Sequence, residues 1–194
     1  MSLDLRSLLS LLIPALWIAW MFYWWAAARN VKAIQRKESA LSRAAHIVPF
    51  TIAAWLLAAG GTPIALLNQP VVPRSVGLAV AGAVVTAIGL AVTVWARVHL
   101  AGNWSATVTI KENHTLVRDG PYRYVRHPIY AGILLAIVGT AMAGNEWRVV
   151  LAVAIAVAAV WRKLRLEERW LTETFGEEYR RYRKEVRALI PFVI

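Results

Sequence analysis

Leu116–Tyr130, LVRDGPYRYVRHPIY, is a polar and aromatic stretch with long apolar runs on both sides. Six of its last nine residues carry an ionisable or phenolic side chain. A second polar stretch, WRKLRLEERW from Trp161 to Trp170, follows the next apolar hairpin. The two stretches are expected to meet at one end of a small helical membrane bundle and to form one site. The rest of the chain mainly holds them there.

The composition supports a membrane setting. The chain has 194 residues, 59% of them hydrophobic, and a mean hydropathy of +0.51, where a soluble domain has roughly 45–50% apolar residues. Five helices of about 20 residues with their connections use nearly all of the length. One domain over 1–194 is therefore expected, with three spans in 1–98 and two in 99–194. The absence of cysteine excludes disulfides, thiolate metal sites and a cysteine nucleophile. His46, His99, His114 and His127 are too scattered for a metal motif. A net charge of +11 could suggest nucleic acid, but the basic residues lie in the links between apolar runs, where anionic headgroups would meet them. The first apolar run lacks a basic leading region and ends in aromatics and Arg29 instead of a small-residue cleavage site, so it is expected to be a retained anchor.

Leu8–Ala28 is the first expected span, with Pro14 near its start. Trp24 and Trp25 suit an interfacial belt, whereas Trp17 and Trp20 lie deeper, packing between helices or lining a lipid pocket. The basic link from Arg29 to Arg43 allows a short interfacial helix with Val31, Ile34 and Leu41 toward lipid. A second span is expected from Ile47 to Leu67, interrupted by Gly60, Gly61 and Pro63, and a third from Ser75 to Val98. Gly77, Gly82 and Gly89 permit close helix contact in the third, without the strict GxxxG spacing. In the long polar connection, TVTI from Thr107 is a candidate extended segment and Asp119-Gly120-Pro121 a turn. Pro128 suits the first turn of a fourth helix reaching about Ala143. Gly144-Asn145 turns the chain, and a fifth span from Trp147 to Trp161 continues without a breaker into the charged segment.

Orientation follows from the charges. Of 22 Lys/Arg residues, 19 lie in the 29–43 link, the 97–126 connection and the tail from Arg162, and only Arg6, Arg74 and Arg148 lie on the other side. Five spans then place the N-terminus outside and the C-terminus in the cytosol, in the inner (plasma) membrane if the chain is prokaryotic. Both polar stretches fall on the cytosolic side. The hairpin of the fourth and fifth spans should bring Arg126 and His127 near Arg162 and Glu167. Arg162 and Glu167 are five apart, so they border a pocket from different angles, while Glu167 lies four from Lys163. The remaining tail charges, including Arg180, Arg181, Arg183 and Lys184, suit interfacial anchoring and weak surface pairs.

The pattern G-P-Y-x-x-V-R-H-P-x-Y (Gly120–Tyr130), two spans, then R-x-x-x-x-E-E-x-x-L-x-x-x-F-G-x-E-Y-x-x-Y (Arg162–Tyr182) and a closing I-P-F resembles the isoprenylcysteine carboxyl methyltransferase family. It also resembles the related membrane phospholipid methyltransferases. Leu100–Ser105 (L-x-G-N-W-S) and His114–Leu116 (H-T-L) fit as well. The resemblance covers roughly the last half of the chain. It implies an all-α polytopic membrane bundle with about five transmembrane helices and a C-terminal cytosolic helical extension. It also implies an enzyme that takes S-adenosyl-L-methionine from the cytosol and a lipophilic or prenylated acceptor from the bilayer. Residues 99–194 would then be the cofactor-binding half. Tyr122, Arg126, His127, Tyr130 and Glu168 would lie on the cofactor side, Leu116 in an apolar wall for the adenine, and Arg162 and Glu167 nearest the methyl-transfer point. A carboxylate acceptor needs no strong base and could be held by an arginine fork; an amine could yield a proton to Glu167. Phospholipid amine methylation, a membrane reductase or isomerase, and a non-enzymatic assembly protein are the alternatives.

Overall fold

Ser39 and the Gly60-Gly61 pair bound a helix that differs from the expected second span. In the computed structural model, which describes residues 5–29, 34–104, 109–111 and 115–193, this helix, α2, runs Ala40–Ala58. It starts earlier because the Ser39 hydroxyl caps it, accepting from the Ser42 N–H at 3.2 Å. Its polar first turns find protein partners, and it ends before the glycines. Residues 60–75 form an irregular connection with a 3-10 turn at Ala65–Asn68, pinned by the Asn68 amide donating to the Thr62 carbonyl at 2.8 Å.

The other helices are α1 (Leu5–Ala27), α3 (Val76–Leu100), α4 (Pro128–Gly144), α5 (Trp147–Phe175) and α6 (Glu177–Glu185). By length and composition, α1, α2 and α3 can cross a bilayer, and α4 is a shorter apolar helix. Helix α5 is long enough but apolar only in its first half; it leaves the apolar layer unbroken and carries the charged stretch, as its lack of a breaker predicts. Large apolar side chains such as Leu11, Phe22, Trp55 and Ile88 are exposed on the outer faces, where lipid is their solvent. The chain is an integral membrane protein.

In its described part the Arg29–Arg43 link is not the expected interfacial helix. Ile34–Lys37 is a strand, β1, paired antiparallel with β2 (Thr109–Lys111), so the extended reading of TVTI holds for its described part. Ile34 therefore belongs to this ribbon, Leu41 to an exposed face of α2, and Val31 lies outside the described residues. The ribbon rests on α5 through Arg36, which pairs with Glu173 at 2.8 Å and lies over the Trp170 ring. Among the described residues the otherwise helical fold thus has one two-stranded exception.

Helices α3 and α4 touch backbone to backbone. Gly82 and Gly89 on α3 are seven residues apart, as are Gly132 and Gly139 on α4, so each pair lies on one face. A Cβ on Gly89 would come 2.4 Å from the Ala136 nitrogen, and one on Gly139 2.4 Å from the Thr86 nitrogen. Helix α1 packs on α3, and α2 packs on α5. At the end of the bundle away from the polar stretches, Asn145 closes α4 with a left-handed backbone (φ 50°), and its amide donates to the Val72 carbonyl at 2.7 Å. The buried Arg148 donates to the last-turn carbonyl of Leu56, a favourable place for a cation.

Candidate active site

At the basic end, Gly120 has φ 53° and no room for a Cβ, which would meet the His99 ring at 2.3 Å. Gly120–Arg123 forms a 3-10 turn, and Pro128 opens α4 directly behind His127. The C-terminal tail folds back along this segment. Arg126 N–H donates to the Arg187 carbonyl at 2.8 Å and His127 N–H to the Ala188 carbonyl at 3.0 Å. Helix α6 is docked beneath by two buried tyrosines, of which Tyr182 donates its hydroxyl to the Tyr122 carbonyl at 2.5 Å.

Glu168 is the hub. Arg126 Nε donates to its Oε1 at 2.8 Å, His127 Nε2 lies 3.3 Å from the same oxygen, and Arg183 Nε lies 3.3 Å from Oε2. Burial alone would raise its pKa, but the hydrogen bonds and charges of His127 and Arg126 outweigh it and bring the carboxyl down to about 2. Glu167, one residue away, faces the interior: it accepts from the Tyr130 hydroxyl at 2.6 Å and lies 3.9 Å from His127 Nδ1. The His127 and Tyr130 rings stack at 5.5 Å. Burial, then the charge of Glu167, raises the Tyr122 phenol and keeps it neutral.

These groups border a cavity of about 880 Å³, toward the upper end for a small-molecule site. Its polar chamber is lined by Leu116, Tyr122, Arg126, His127, Tyr130 and Glu167. Between α1, α2 and α4 it continues as an apolar slot walled by Trp17, Met21, Phe50, Leu57, Ile133 and Ile137. Trp17 is fixed there by its indole N–H donating to Thr140 Oγ1 at 3.0 Å, and Trp20 similarly to Thr93 Oγ1 at 2.6 Å. Trp24 joins this wall, stacked on Trp20 at 4.6 Å, whereas Trp25 is exposed beneath Arg29 as a belt residue is.

Seven of the eight residues singled out in the sequence thus gather here, with Glu168 behind the cavity wall as the anchor of Arg126. Arg162 is placed elsewhere. It is exposed, lies outside the cavity lining and donates to the Ser42 carbonyl of α2 at 3.0 Å. The cation on the cavity side of α5 is Lys163, with Glu167, Trp170 and Leu171 on the same face. The four-residue spacing of Lys163 and Glu167 carried that signal; positions five apart diverge by about 140° around the helix. His46 also lines the cavity without a sequence signal, and so do Asn103, Trp104 and Tyr179, which the family-like patterns contain but to which the sequence reading gave no role. His114 and Ser105 lie outside the described residues.

The fold and cavity define a small helical membrane protein with a polar chamber opening into an apolar slot. Residues 80–173 match the isoprenylcysteine carboxyl methyltransferase (ICMT) family. The chain is 37% identical over 101 residues to protein-S-isoprenylcysteine O-methyltransferase of Schizosaccharomyces pombe, covering 50% of this chain and 43% of that one. It is 42% identical over 91 residues to protein-S-isoprenylcysteine O-methyltransferase A of Arabidopsis thaliana, covering 44% of each. The match spans less than half the length of these curated relatives. A solved structure of the eukaryotic intramembrane Ras methyltransferase ICMT covers 79% of this chain and 52% of its own at 22% identity, with a TM-score of 0.45.

Proposed function

We propose that the protein transfers a methyl group from S-adenosyl-L-methionine to the carboxylate of a lipophilic, isoprenylcysteine-like acceptor that enters sideways from the bilayer. The observation that carries this is one cavity joining a chamber of charged and aromatic groups to a slot lined by membrane helices. The chamber fits the methyl donor. Leu116 and the Trp104 and Tyr122 rings offer an apolar, aromatic wall, and the side-chain amide oxygen Oδ1 of Asn103 is buried without a partner. Glu167, held by Tyr130, supplies negative charge for a cationic group.

S-adenosyl-L-methionine would supply a methyl group activated by a cationic sulfur. The chain's part is positioning, which accounts for much of the rate of such transfers. Lys163 faces the chamber and is suited to hold a carboxylate; Arg162 positions α2 against α5 through Ser42. The apolar slot would bury the acceptor's tail at about 0.8 kcal/mol per CH₂. Amine methylation is the second reading, favoured only by the exposure of the Glu167 carboxylate to the chamber.

The test is methyl transfer from labelled donor by purified protein to a prenylcysteine analogue and to phosphatidylethanolamine. Lys163→Met should raise KM for the carboxylate acceptor about tenfold or more while donor binding persists. Methylation of the phospholipid with none of prenylcysteine would sink the carboxylate assignment.

The proposed orientation puts the basic end in the cytosol, at anionic headgroups, in the inner membrane if prokaryotic. The native chain has no cysteine. In intact cells Leu66→Cys should react with an impermeant thiol reagent and Lys37→Cys should not; the reverse pattern would invert the topology.

A further inference from the structure

Among the described residues, five buried side-chain atoms have no hydrogen-bond partner: Arg97 Nε, Asn103 Oδ1, Thr109 Oγ1, the Tyr179 hydroxyl and His46 Nε2, the last of which is instead ion-paired to Glu38 Oε1 at 3.3 Å. All but Arg97 belong to residues that line the one large cavity. Buried polar groups are ordinarily satisfied, and an orphan facing a cavity marks where a ligand atom completes the bond.

Tyr179 carries this furthest. It and Tyr182 lie three apart on α6, with their rings 6.0 Å apart, and are 1% and 2% exposed. Tyr182 gives its hydroxyl to the Tyr122 carbonyl. Tyr179 lines the cavity and gives its own to no protein atom. Its neighbour Arg126 directs Nε and Nη2 to Glu168 and Nη1 to the carbonyls of Arg183 and Val186. Burial, then the charges of Glu168 and Glu167, keep the phenol protonated, so it is a donor. Arg126 and Arg183 both pair with the single carboxylate of Glu168.

We propose that the Tyr179 hydroxyl is a ligand contact that donates to the carboxylate at the amino-acid end of the methyl donor, with Arg126 behind it. This rests on the S-adenosyl-L-methionine reading above. Tyr179 lies on α6, after the 80–173 match and within the E-Y-x-x-Y pattern of the resemblance, so α6 would add to the donor site.

Tyr179→Phe removes one oxygen and leaves the ring packing intact. The test is calorimetry of full-length protein in detergent with S-adenosylhomocysteine and with its decarboxylated analogue, beside thermal melts without ligand. The ligand-free melting temperature should stay or rise, because an unpaired buried hydroxyl is removed. Affinity for S-adenosylhomocysteine should fall about tenfold or more, as for a hydrogen bond to a charged group. The decarboxylated analogue should bind wild type weakly, and the variant equally weakly. Unchanged S-adenosylhomocysteine affinity would overturn the contact. Equal loss toward both ligands, or a lowered ligand-free melting temperature, would overturn it in favour of another partner or a packing role. Failure of wild type to bind either ligand would overturn the donor reading and this contact with it.

Discussion

The two arms of the cavity are built in opposite ways. In the chamber, Arg126, His127 and Glu168 are cross-bonded, and the folded-back tail and α6 brace them through backbone carbonyls. The slot is walled by apolar side chains on α1, α2 and α4, and its outer helices rest on different neighbours, α1 on α3 and α2 on α5. On the proposed function the chamber must hold reacting groups in fixed relation, and directional bonds do that. The slot needs only to be apolar and open to the bilayer, and non-directional burial suffices. Breaking the cross-bonds of the chamber should therefore cost stability, and changes in the slot should cost acceptor affinity alone.

The largest effect is expected at the hub. Glu168→Gln leaves Arg126 without its buried counter-charge, a loss of about 3–5 kcal/mol, so the melting temperature in detergent should drop steeply and donor binding vanish. The wild-type protein should show the same dependence on pH. The carboxyl titrates near 2 in the fold against an ordinary 4.5. Its stabilisation is therefore complete above that ordinary value and lost as pH falls through 2. The Gln variant should lack this acid limb; an identical limb would remove Glu168 as its cause.

The α3–α4 seam should come next. Gly89→Ala drives a Cβ into the Ala136 backbone and should cost about 1–3 kcal/mol. Gly77→Ala, with nothing within 4 Å of its Cβ, should melt as wild type does. Equal melting of both variants would show that the seam can separate cheaply.

In the slot, Ala54→Trp should narrow the space beside Phe50 and Leu57 and displace several methylenes of a long acceptor. At about 0.8 kcal/mol per CH₂ that is tenfold or more in KM, with donor affinity and melting unchanged. A fall in donor affinity would mean that the two arms are not independent. The smallest effect belongs to the ribbon. Arg36 and Glu173 are both about half exposed, so Arg36→Ala should cost under about 1 kcal/mol.

Hydrophobic runs and proline and glycine punctuation determined the long helices, apart from both ends of α2 and the strand in the Arg29–Arg43 link. Those signals are local, because a membrane helix satisfies its own backbone and must present apolar side chains along its length. The motifs likewise marked Arg126, His127, Tyr130 and Glu167 for one site, since the hairpin leaves no other arrangement of its two ends. What the tertiary structure decided depends on rotation and on partners remote in the chain. The angle of α5 turned Lys163 toward the cavity and gave Arg162 to Ser42, 120 residues away. Strand Ile34–Lys37 exists because Thr109–Lys111 lies beside it to satisfy its backbone, so a helical period alone misread it. Tyr179 and Tyr182 read alike in the sequence; only the position of the Tyr122 carbonyl makes one a brace and leaves the other facing the cavity.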